Sequence, residues 1–223
     1  MERALASHAA HESRTPLATA CLHLETALAR KLPSRQDVLA SLNALKLLCH
    51  RTERLLQLSR AESASIESLT EINLVQLAGV VAQEFWDAKA RTVNLELMVP
   101  EHDLPAALGD LDGLSIALRN LVENALRHGG ASRVVNEVMA PRTLAVRDFG
   151  PGVTAERLQT LNQQHVRLVS SQSGFGLGLS IVKTVVAKQQ ARLELRSPLP
   201  GQTRGFEARI ILRHVRPDPM LFG

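Results

Sequence analysis

Residues 110–130 read Asp-Leu-Asp-Gly-Leu-Ser-Ile-Ala-Leu-Arg-Asn-Leu-Val-Glu-Asn-Ala-Leu-Arg-His-Gly-Gly, and this stretch decides how the second half of the chain folds. Its apolar residues recur at the helical period, which predicts a strong amphipathic helix over 110–128. The pair Gly129-Gly130 is typical of a helix C-terminus, because glycine adopts the left-handed conformation there at little cost. We expect this helix to pack on a sheet formed by the sequence around it.

The helix carries four polar residues, Asn120, Asn124, Arg127 and His128, within a turn or two of one face. A buried asparagine needs partners, because an unsatisfied amide costs roughly 1–3 kcal/mol. Two asparagines four residues apart, followed by a cation, suit a hydrated Mg²⁺ ion and phosphates. An ordinary polar helix surface explains the same residues equally well, so the motif alone leaves both interpretations open.

The surrounding sequence predicts an α+β fold with helices on one face of a mixed sheet. Alternating apolar and polar residues indicate strands, and longer periodic stretches indicate helices. The predicted helices are 75–89 and 177–189, and the predicted strands are 92–99, 106–109, 133–139, 143–147, 192–196 and 205–212.

Two glycine motifs follow the asparagine helix. Asp148-Phe-Gly150-Pro-Gly152 ends a predicted strand, where glycines let the backbone approach a flat ligand and the carboxylate can accept a hydrogen bond from an exocyclic amine. A plain Asp/Gly turn is the simpler explanation of this motif in isolation. Gly174-Phe-Gly176-Leu-Gly178 opens an apolar helix, whose N-terminal amides suit phosphate. Its spacing matches neither the dinucleotide fingerprint nor the Walker A loop.

The N-terminal part of the chain has a different pattern. Leu17, Cys21, Leu24 and Leu28 form one helical seam, and a second seam, over 36–62, comprises Val38, Leu42, Leu45, Leu48, Thr52 and Leu55. The two helices predict an antiparallel hairpin that pairs with a second copy into a dimeric four-helix bundle. The polar stretch 63–70 predicts a boundary, with domains at 1–65 and 71–215 and a flexible tail at 216–223.

His11-Glu12-Ser13-Arg14-Thr15-Pro16-Leu17 lies on the first of these helices. It places an imidazole beside a carboxylate, one turn before a hydroxyl. A solvated helix surface is the simpler explanation of this heptapeptide taken alone. A zinc hydrolase is excluded, because Thr15 stands where the His-Glu-x-x-His motif needs its second histidine.

Composition excludes several classes of protein. The net charge is +4, but the basic residues are scattered, and no Tyr and one Trp leave little to stack nucleic-acid bases on. No run approaches the roughly 20 apolar residues of a membrane span. Cys21 and Cys49 are too few for a metal or disulfide pattern and are predicted to be reduced core residues.

The four motifs, in this order along the chain, resemble the H, N, G1 and G2 boxes of the sensor histidine kinases of two-component systems. The resemblance covers nearly the whole chain. It implies a HisKA-type dimerisation and phosphoacceptor hairpin, followed by a catalytic ATP-binding domain with the Bergerat-type α/β sandwich shared with gyrase and Hsp90 ATPases. It also implies ATP and Mg²⁺ as cofactors, and a homodimer that transfers a phosphoryl group to an Asp of a response regulator receiver domain.

For the heptapeptide, the resemblance implies that His11 is the phosphoacceptor, that Glu12 accepts or steadies the other ring proton, and that Thr15 orients water for dephosphorylating the regulator. The remaining implied residues bind the nucleotide. Asn124 is the implied Mg²⁺ ligand, with Asn120 as an additional polar contact. Arg127 and His128 contact phosphate and ribose or base, although the family commonly has Lys and Tyr or Phe there.

The second and third nucleotide motifs have implied roles of their own. Asp148 matches the carboxylate that reads adenine, in a pocket shaped by Gly150 and Gly152. Gly174, Gly176 and Gly178 match the hinge and phosphate turn at the end of the ATP lid.

The sequence departs from the family at two places. Ser13 replaces a large apolar residue, and the stretch between Gly152 and Gly174 lacks the two phenylalanines that the family usually carries there. Two alternatives therefore stay open: a kinase-poor phosphatase of the regulator, and a non-catalytic dimeric scaffold with a vestigial nucleotide site. The family's usual sensor and membrane anchor are not in this sequence, so we expect the cytoplasmic portion of a longer, membrane-anchored bacterial sensor.

Overall fold

The computed structural model describes residues 21–22, 25–26, 35–63, 69–88, 94–130, 132–163 and 176–214. The chain divides into two compact units, Met1–Ser59 and Arg60–Gly223. Residues 64–68 and 215–223 lie outside the described part, so the predicted limits 1–65, 71–215 and 216–223 stay predictions.

The first unit is described mainly by helix α1, Arg35–Ser63, which continues into the second unit. Three residues of the predicted seam, Val38, Leu42 and Leu45, are 53%, 44% and 40% exposed in the single chain. The first helix of the predicted hairpin lies outside the described residues, except for 21–22 and 25–26, which are helical. The heptapeptide lies outside them as well.

The second unit is built on a five-stranded mixed sheet. Its strands are β2 (Leu95–Met98), β4 (Val134–Met139), β5 (Thr143–Asp148), β6 (Arg192–Arg196) and β7 (Phe206–Ile211). Their order in the sheet is β2-β4-β5-β7-β6; the β2–β4 pair is parallel and the other three pairs are antiparallel. A second, three-stranded sheet has the order β1-β3-β8, formed by Thr70–Ile72, Ala107–Gly109 and Arg213–His214.

The helices in the described part of this unit are α2 (Leu74–Ala88), α3 (Leu111–His128), α4 (Ala155–Gln163) and α5 (Gly176–Lys188). Asn73 caps α2, because its Oδ1 accepts hydrogen bonds from the amides of Val75 and Gln76. The apolar faces of α2, α3 and α5 are buried, and they provide much of the core together with Leu144, Val146 and Ile210 of the sheet. The mixed α/β architecture with helices on the sheet is the predicted one.

The structure corrects the sequence analysis on three missed elements and on the two cysteines. Helix α4 and strands β1 and β8 were absent from the predicted elements; α4 has few apolar residues, and the two strands are only three and two residues long. Cys21 and Cys49 were predicted in the core, but both thiols are free and exposed in the single chain. Among the described residues, no helix is long and apolar enough to cross a membrane.

Candidate functional site

Helix α3 is fixed at both ends. At its N-terminus Asp110 Oδ2 accepts a hydrogen bond from Gly113 N at 3.0 Å, and Asp110 N donates to Gln189 Oε1 at 3.1 Å. Gln189 is 2% exposed and follows α5. At the other end Gly129 N donates to Ala125 O at 2.8 Å. The first and last of these bonds are local to α3, whereas the bond to Gln189 joins the start of α3 to the end of α5.

Gly178 of α5 lies directly against the two asparagines of α3. A Cβ atom at Gly178 would lie 3.1 Å from Asn120 Oδ1 and 3.2 Å from Asn124 Oδ1. Asn120 is fully buried, and its Nδ2 donates to Ile116 O at 2.8 Å. Asn124 is half-buried. Because glycine leaves this space open, the Asn124 amide can stand beside the N-terminal turn of α5.

Asp148 ends β5 and is 4% exposed. Its Oδ1 accepts a hydrogen bond from Gly150 N at 3.0 Å. Burial raises the pKa of this carboxyl, while the Gly150 amide acts in the opposite direction. The result is a buried carboxylate whose charge is only partly compensated, a group suited to accept a hydrogen bond from a ligand.

Glycines bring the backbone segments around Asp148 into close contact. A Cβ at Gly150 would lie 2.6 Å from Gly129 Cα, so the end of α3 and the end of β5 meet through two glycines. A Cβ at Gly152 would lie 2.7 Å from Gly205 O, and both residues have positive φ angles, 72° and 95°. Side chains at these positions would push the segments apart.

Ser197, in the connection between β6 and β7, joins the same segments through its hydroxyl. Its Oγ accepts a hydrogen bond from Val153 N at 2.9 Å and lies 2.9 Å from Gly205 O and 3.2 Å from Val153 O. The segment after β5 is thereby bonded to the β6–β7 connection.

These segments enclose a cleft between α3, the N-terminal part of α5 and the sheet. It holds about 470 Å³ of empty space, open solvent included. Its walls are mostly apolar, with three polar side chains. The lining residues are Leu121, Asn124, Ala125, His128, Val146, Asp148, Gly152, Val153, Leu179, Phe206 and Ala208.

His128 is half-buried in this cleft, at the last residue of α3. Burial lowers the pKa of its imidazole, and the neighbouring Arg127 guanidinium lowers that pKa further. The neutral ring is therefore favoured near pH 7, and it can either donate or accept a hydrogen bond.

Helices α4 and α5 are tied together beside the cleft. Lys183 Nζ of α5 donates a hydrogen bond to Leu161 O of α4. Burial lowers the pKa of this ammonium group. The contact links the helix that follows Val153 to the helix that carries Gly178 and Leu179.

The predicted site residues fall into three groups. Asn124, His128, Asp148 and Gly152 line the cleft. Asn120, Gly150 and Gly178 lie behind its walls in contact with that group, whereas Arg127 is exposed and outside the lining. Gly176 begins α5. His11, Glu12, Thr15 and Gly174 lie outside the described residues.

Sequence reasoning missed several residues of the site. Phe206 and Ala208 line the cleft, and the alternation along β7 with Glu207 between them was the signal that could have found them. Gly129 was interpreted as a helix stop only. Gly205 and Ser197 gave no sequence signal, because their importance depends on contacts with segments at least 44 residues away along the chain.

Comparison with known proteins agrees with this geometry. Residues 109–214 match the family described as histidine kinase-, DNA gyrase B- and HSP90-like ATPase. Sensor protein QseC of Salmonella typhi is 33% identical over 213 residues, 93% of this chain and 46% of the relative. Sensor protein kinase PmrB of Pseudomonas aeruginosa is 34% identical over 226 residues, 97% of this chain and 46% of the relative.

Over nearly its whole length the chain is similar to sensor histidine kinases. It spans about half the length of these curated relatives. The region 109–214 is called the ATPase domain below. It contains Asn124, Asp148 and Gly178, and every residue that lines the cleft lies within it.

Solved histidine kinases share the fold. Acinetobacter baumannii AdeS superimposes with a TM-score of 0.65 at 19% identity, covering 92% of this chain and 98% of AdeS. Full-length ShkA, solved in complex with AMPPNP, superimposes with a TM-score of 0.60 at 24% identity, covering 96% of this chain and 47% of ShkA.

Proposed function

We propose that this chain binds ATP with Mg²⁺ in the cleft of the ATPase domain and transfers the γ-phosphoryl group to His11. One observation carries the nucleotide part. Asn124, Asp148 and Gly178 come from three separate segments of the sequence and meet around one cleft. The ShkA relative, solved with AMPPNP, supports the same ligand class.

The base end of the nucleotide fits the part of the cleft at Asp148. A flat purine suits the apolar walls given by Val146, Phe206 and Ala208. The Asp148 carboxylate accepts a hydrogen bond from the exocyclic amine of adenine, while Gly150 N holds its Oδ1 in place. Such a bond adds a donor to a buried carboxylate that already accepts from Gly150 N, so it favours the charged form of Asp148.

The phosphate end fits the N-terminus of α5. The helix begins at Gly176, where the N-terminal amides and the helix dipole favour anions. Asn124 presents a side-chain oxygen at the same place, and oxygen is the ligand type that Mg²⁺ prefers. Mg²⁺ usually takes few protein ligands and several phosphate oxygens, so one amide oxygen beside a phosphate site fits it. When bound, the ion neutralises charge on the phosphates.

The proposed reaction moves one phosphoryl group. A nitrogen lone pair of the neutral His11 imidazole attacks the γ-phosphorus; the bond from that phosphorus to the bridging oxygen breaks, and ADP leaves with the electron pair. Glu12 receives or steadies the proton on the other ring nitrogen. The phosphoryl group then passes to an Asp carboxylate of a response regulator, which frees the His11 imidazole. Thr15 orients water for a separate step, in which the aspartyl phosphate is hydrolysed and inorganic phosphate leaves.

We also propose that the chain acts as a homodimer. The exposed apolar residues Val38, Leu42 and Leu45 on α1 recur at four- and three-residue spacings, the pattern of a helix seam that packs against other helices. The response regulator partner, the cytoplasmic location and the membrane anchor outside this sequence stay predictions.

The test is incubation of the 223-residue chain with γ-labelled ATP and Mg²⁺. We expect a protein-bound label that is labile in acid, stable in base and lost in His11→Ala. His23→Ala is the matched control, another histidine of the same predicted helix, and it should keep the label.

The same experiment separates the alternatives. Nucleotide binding without any label contradicts the kinase and favours the phosphatase or the scaffold. Loss of label from a purified, prelabelled regulator in the presence of the chain, dependent on Thr15, then distinguishes the phosphatase from the scaffold. A chain that binds no nucleotide at all contradicts the proposed function as a whole.

A further inference from the structure

Ser197 occupies a position that the nucleotide-binding motifs do not include. It follows β6 and lies outside the residues that line the cleft. Its hydroxyl nevertheless contacts two of the segments that form the cleft wall. Val153 N donates to Ser197 Oγ at 2.9 Å, and Gly205 O lies 2.9 Å from the same oxygen.

The single hydrogen of the Ser197 hydroxyl determines which of its contacts it can donate to. A serine hydroxyl has one hydrogen and can accept through its lone pairs. It accepts from Val153 N and donates to one carbonyl at a time, with Gly205 O at 2.9 Å nearer than Val153 O at 3.2 Å. Ser197 is therefore a bridge between the segment after β5 and the segment before β7.

Both bridged segments carry cleft residues. Gly152 and Val153 lie in the first segment, and Phe206 directly follows Gly205 in the second. A Cβ at Gly152 would lie 2.7 Å from Ser197 Oγ and 2.7 Å from Gly205 O, so the bridge spans the point of closest approach. A Cβ at Gly205 would lie 2.8 Å from Asp148 O, which extends the same packing to the carboxylate residue.

We propose that Ser197 is a positioning residue for nucleotide binding, which holds the Gly152–Val153 wall of the cleft against Gly205 and Phe206. It acts through these residues and does not touch the nucleotide. The proposal rests on the proposed function, because it assigns the wall that Ser197 holds to the nucleotide site. The phosphoryl transfer step at His11 does not depend on it.

The test compares Ser197→Ala, Ser197→Thr and the unsubstituted full chain. We expect Ser197→Ala to raise the dissociation constant of ADP roughly tenfold, which corresponds to about one net hydrogen bond. Ser197→Thr keeps a hydroxyl and should restore most of the affinity. The rate of autophosphorylation at saturating ATP should stay unchanged in both variants, while the ATP concentration at half-maximal rate rises in Ser197→Ala.

Ser115→Ala is the control, because it removes a serine hydroxyl of the same domain that donates to Leu111 O within α3 at 2.8 Å. It should leave the ADP dissociation constant unchanged. If Ser197→Ala does not fold, Ser197→Cys is measured instead, since a thiol keeps the volume and weakens both bonds; the ADP dissociation constant should again rise.

The outcomes are distinguishable. An ADP dissociation constant that is unchanged in folded Ser197→Ala or Ser197→Cys overturns the positioning role and leaves the proposed function intact. A lower saturating rate with unchanged affinity overturns it as well. Failure of the unsubstituted chain to bind ADP contradicts both the positioning role and the proposed function.

Discussion

The two faces of the β5–β7 pair hold two buried carboxylates in opposite electrostatic states. Asp148 is 4% exposed and faces the cleft, and burial raises its pKa. Glu207 is fully buried on the opposite face. Burial alone would raise the pKa of its carboxyl, but the hydrogen bonds and positive charges of Arg147 and Arg209 outweigh burial, so the pKa of Glu207 is lowered. Both carboxylates lie on the same pair of strands, and their pKa values shift in opposite directions because two arginines contact Glu207.

The arginines around Glu207 form a continuous network across three strands. Arg147 Nε donates to Glu207 Oε1, and Arg147 Nη1 lies 2.5 Å from Glu137 Oε2 on β4. Arg209 Nε lies 2.8 Å from Glu207 Oε2. Glu207 is thus compensated within the protein, whereas Asp148 keeps capacity for a ligand. Burial of a carboxylate alone does not identify a binding site; its partners do.

The largest expected effect comes from Glu207→Gln. Removing this charge leaves Arg147 and Arg209 partly buried without their common partner, and we expect a loss of about 3 kcal/mol in the free energy of unfolding. Urea unfolding at pH 7 measures it. Glu194→Gln on β6 is the matched control, because its arginine partners are 77% and 42% exposed, and it should cost less than about 1 kcal/mol. Equal losses in the two variants would contradict the comparison.

In contrast to Glu207→Gln, Asp148→Asn should weaken ligand binding without lowering the stability of the fold. A raised folded pKa means that the stability given by the protonated form is present below the ordinary value of 3.8 and is lost as pH rises through the folded pKa. The neutral amide removes that loss, so the stability at pH 7 should not fall. The ADP dissociation constant should rise about tenfold or more, because an amide presents a donor to the exocyclic amine.

Calorimetric titration with ADP and urea unfolding of the same Asp148→Asn sample measure both quantities. Tight ADP binding by this variant would show that Asp148 is a structural carboxylate like Glu207, and the comparison between the two faces would fail.

The smallest expected effect concerns His128, the titratable neighbour of Asp148 in the cleft. Its pKa is lowered in the fold, so the unfolded chain binds protons more strongly around the ordinary value of 6.5. Stability should therefore increase as pH rises through this region, and His128→Gln should flatten that increase. Urea unfolding between pH 5 and 8, described with roughly one titrating group, measures it. An unchanged pH profile in the variant would contradict the assignment.

The sequence predicted the elements with a long, regular apolar pattern. Helix α3 was predicted within a residue of its observed ends, and β6 was predicted at 192–196, where it lies. Their patterns are periodic over enough residues to exclude other structures. Helix α4 was missed because it has only Leu158 and Leu161 as large apolar residues in a polar stretch. Tertiary contacts, such as the hydrogen bond from Lys183 Nζ to Leu161 O, stabilise this helix although its apolar pattern is weak.

The motif residues of the site were predictable, and the residues that hold them in place were not. Asn124 and Asp148 stood out through residue type and spacing. Ser197 and Gly205 act on Gly152 and Val153 only because the register Asp148↔Phe206 brings the ends of β5 and β7 together. The Glu207 network likewise depends on the pairing Arg147↔Glu207 across strands. Sequence patterns give the faces of each strand but not the neighbours across it.

The contacts of α5 also make the cleft electrostatically polar. Gly178, near the start of α5, lies against Asn120 and Asn124, and Gln189 beyond its end contacts Asp110 before α3, so the two helices run antiparallel. The partial positive charge of about one half at the start of α5 and the matching negative charge at the end of α3 therefore meet at the same site. An elongated ligand with an anionic tail and a donor-rich head has one favourable orientation between these two poles. Reversing such a ligand would bring like charges together at both ends.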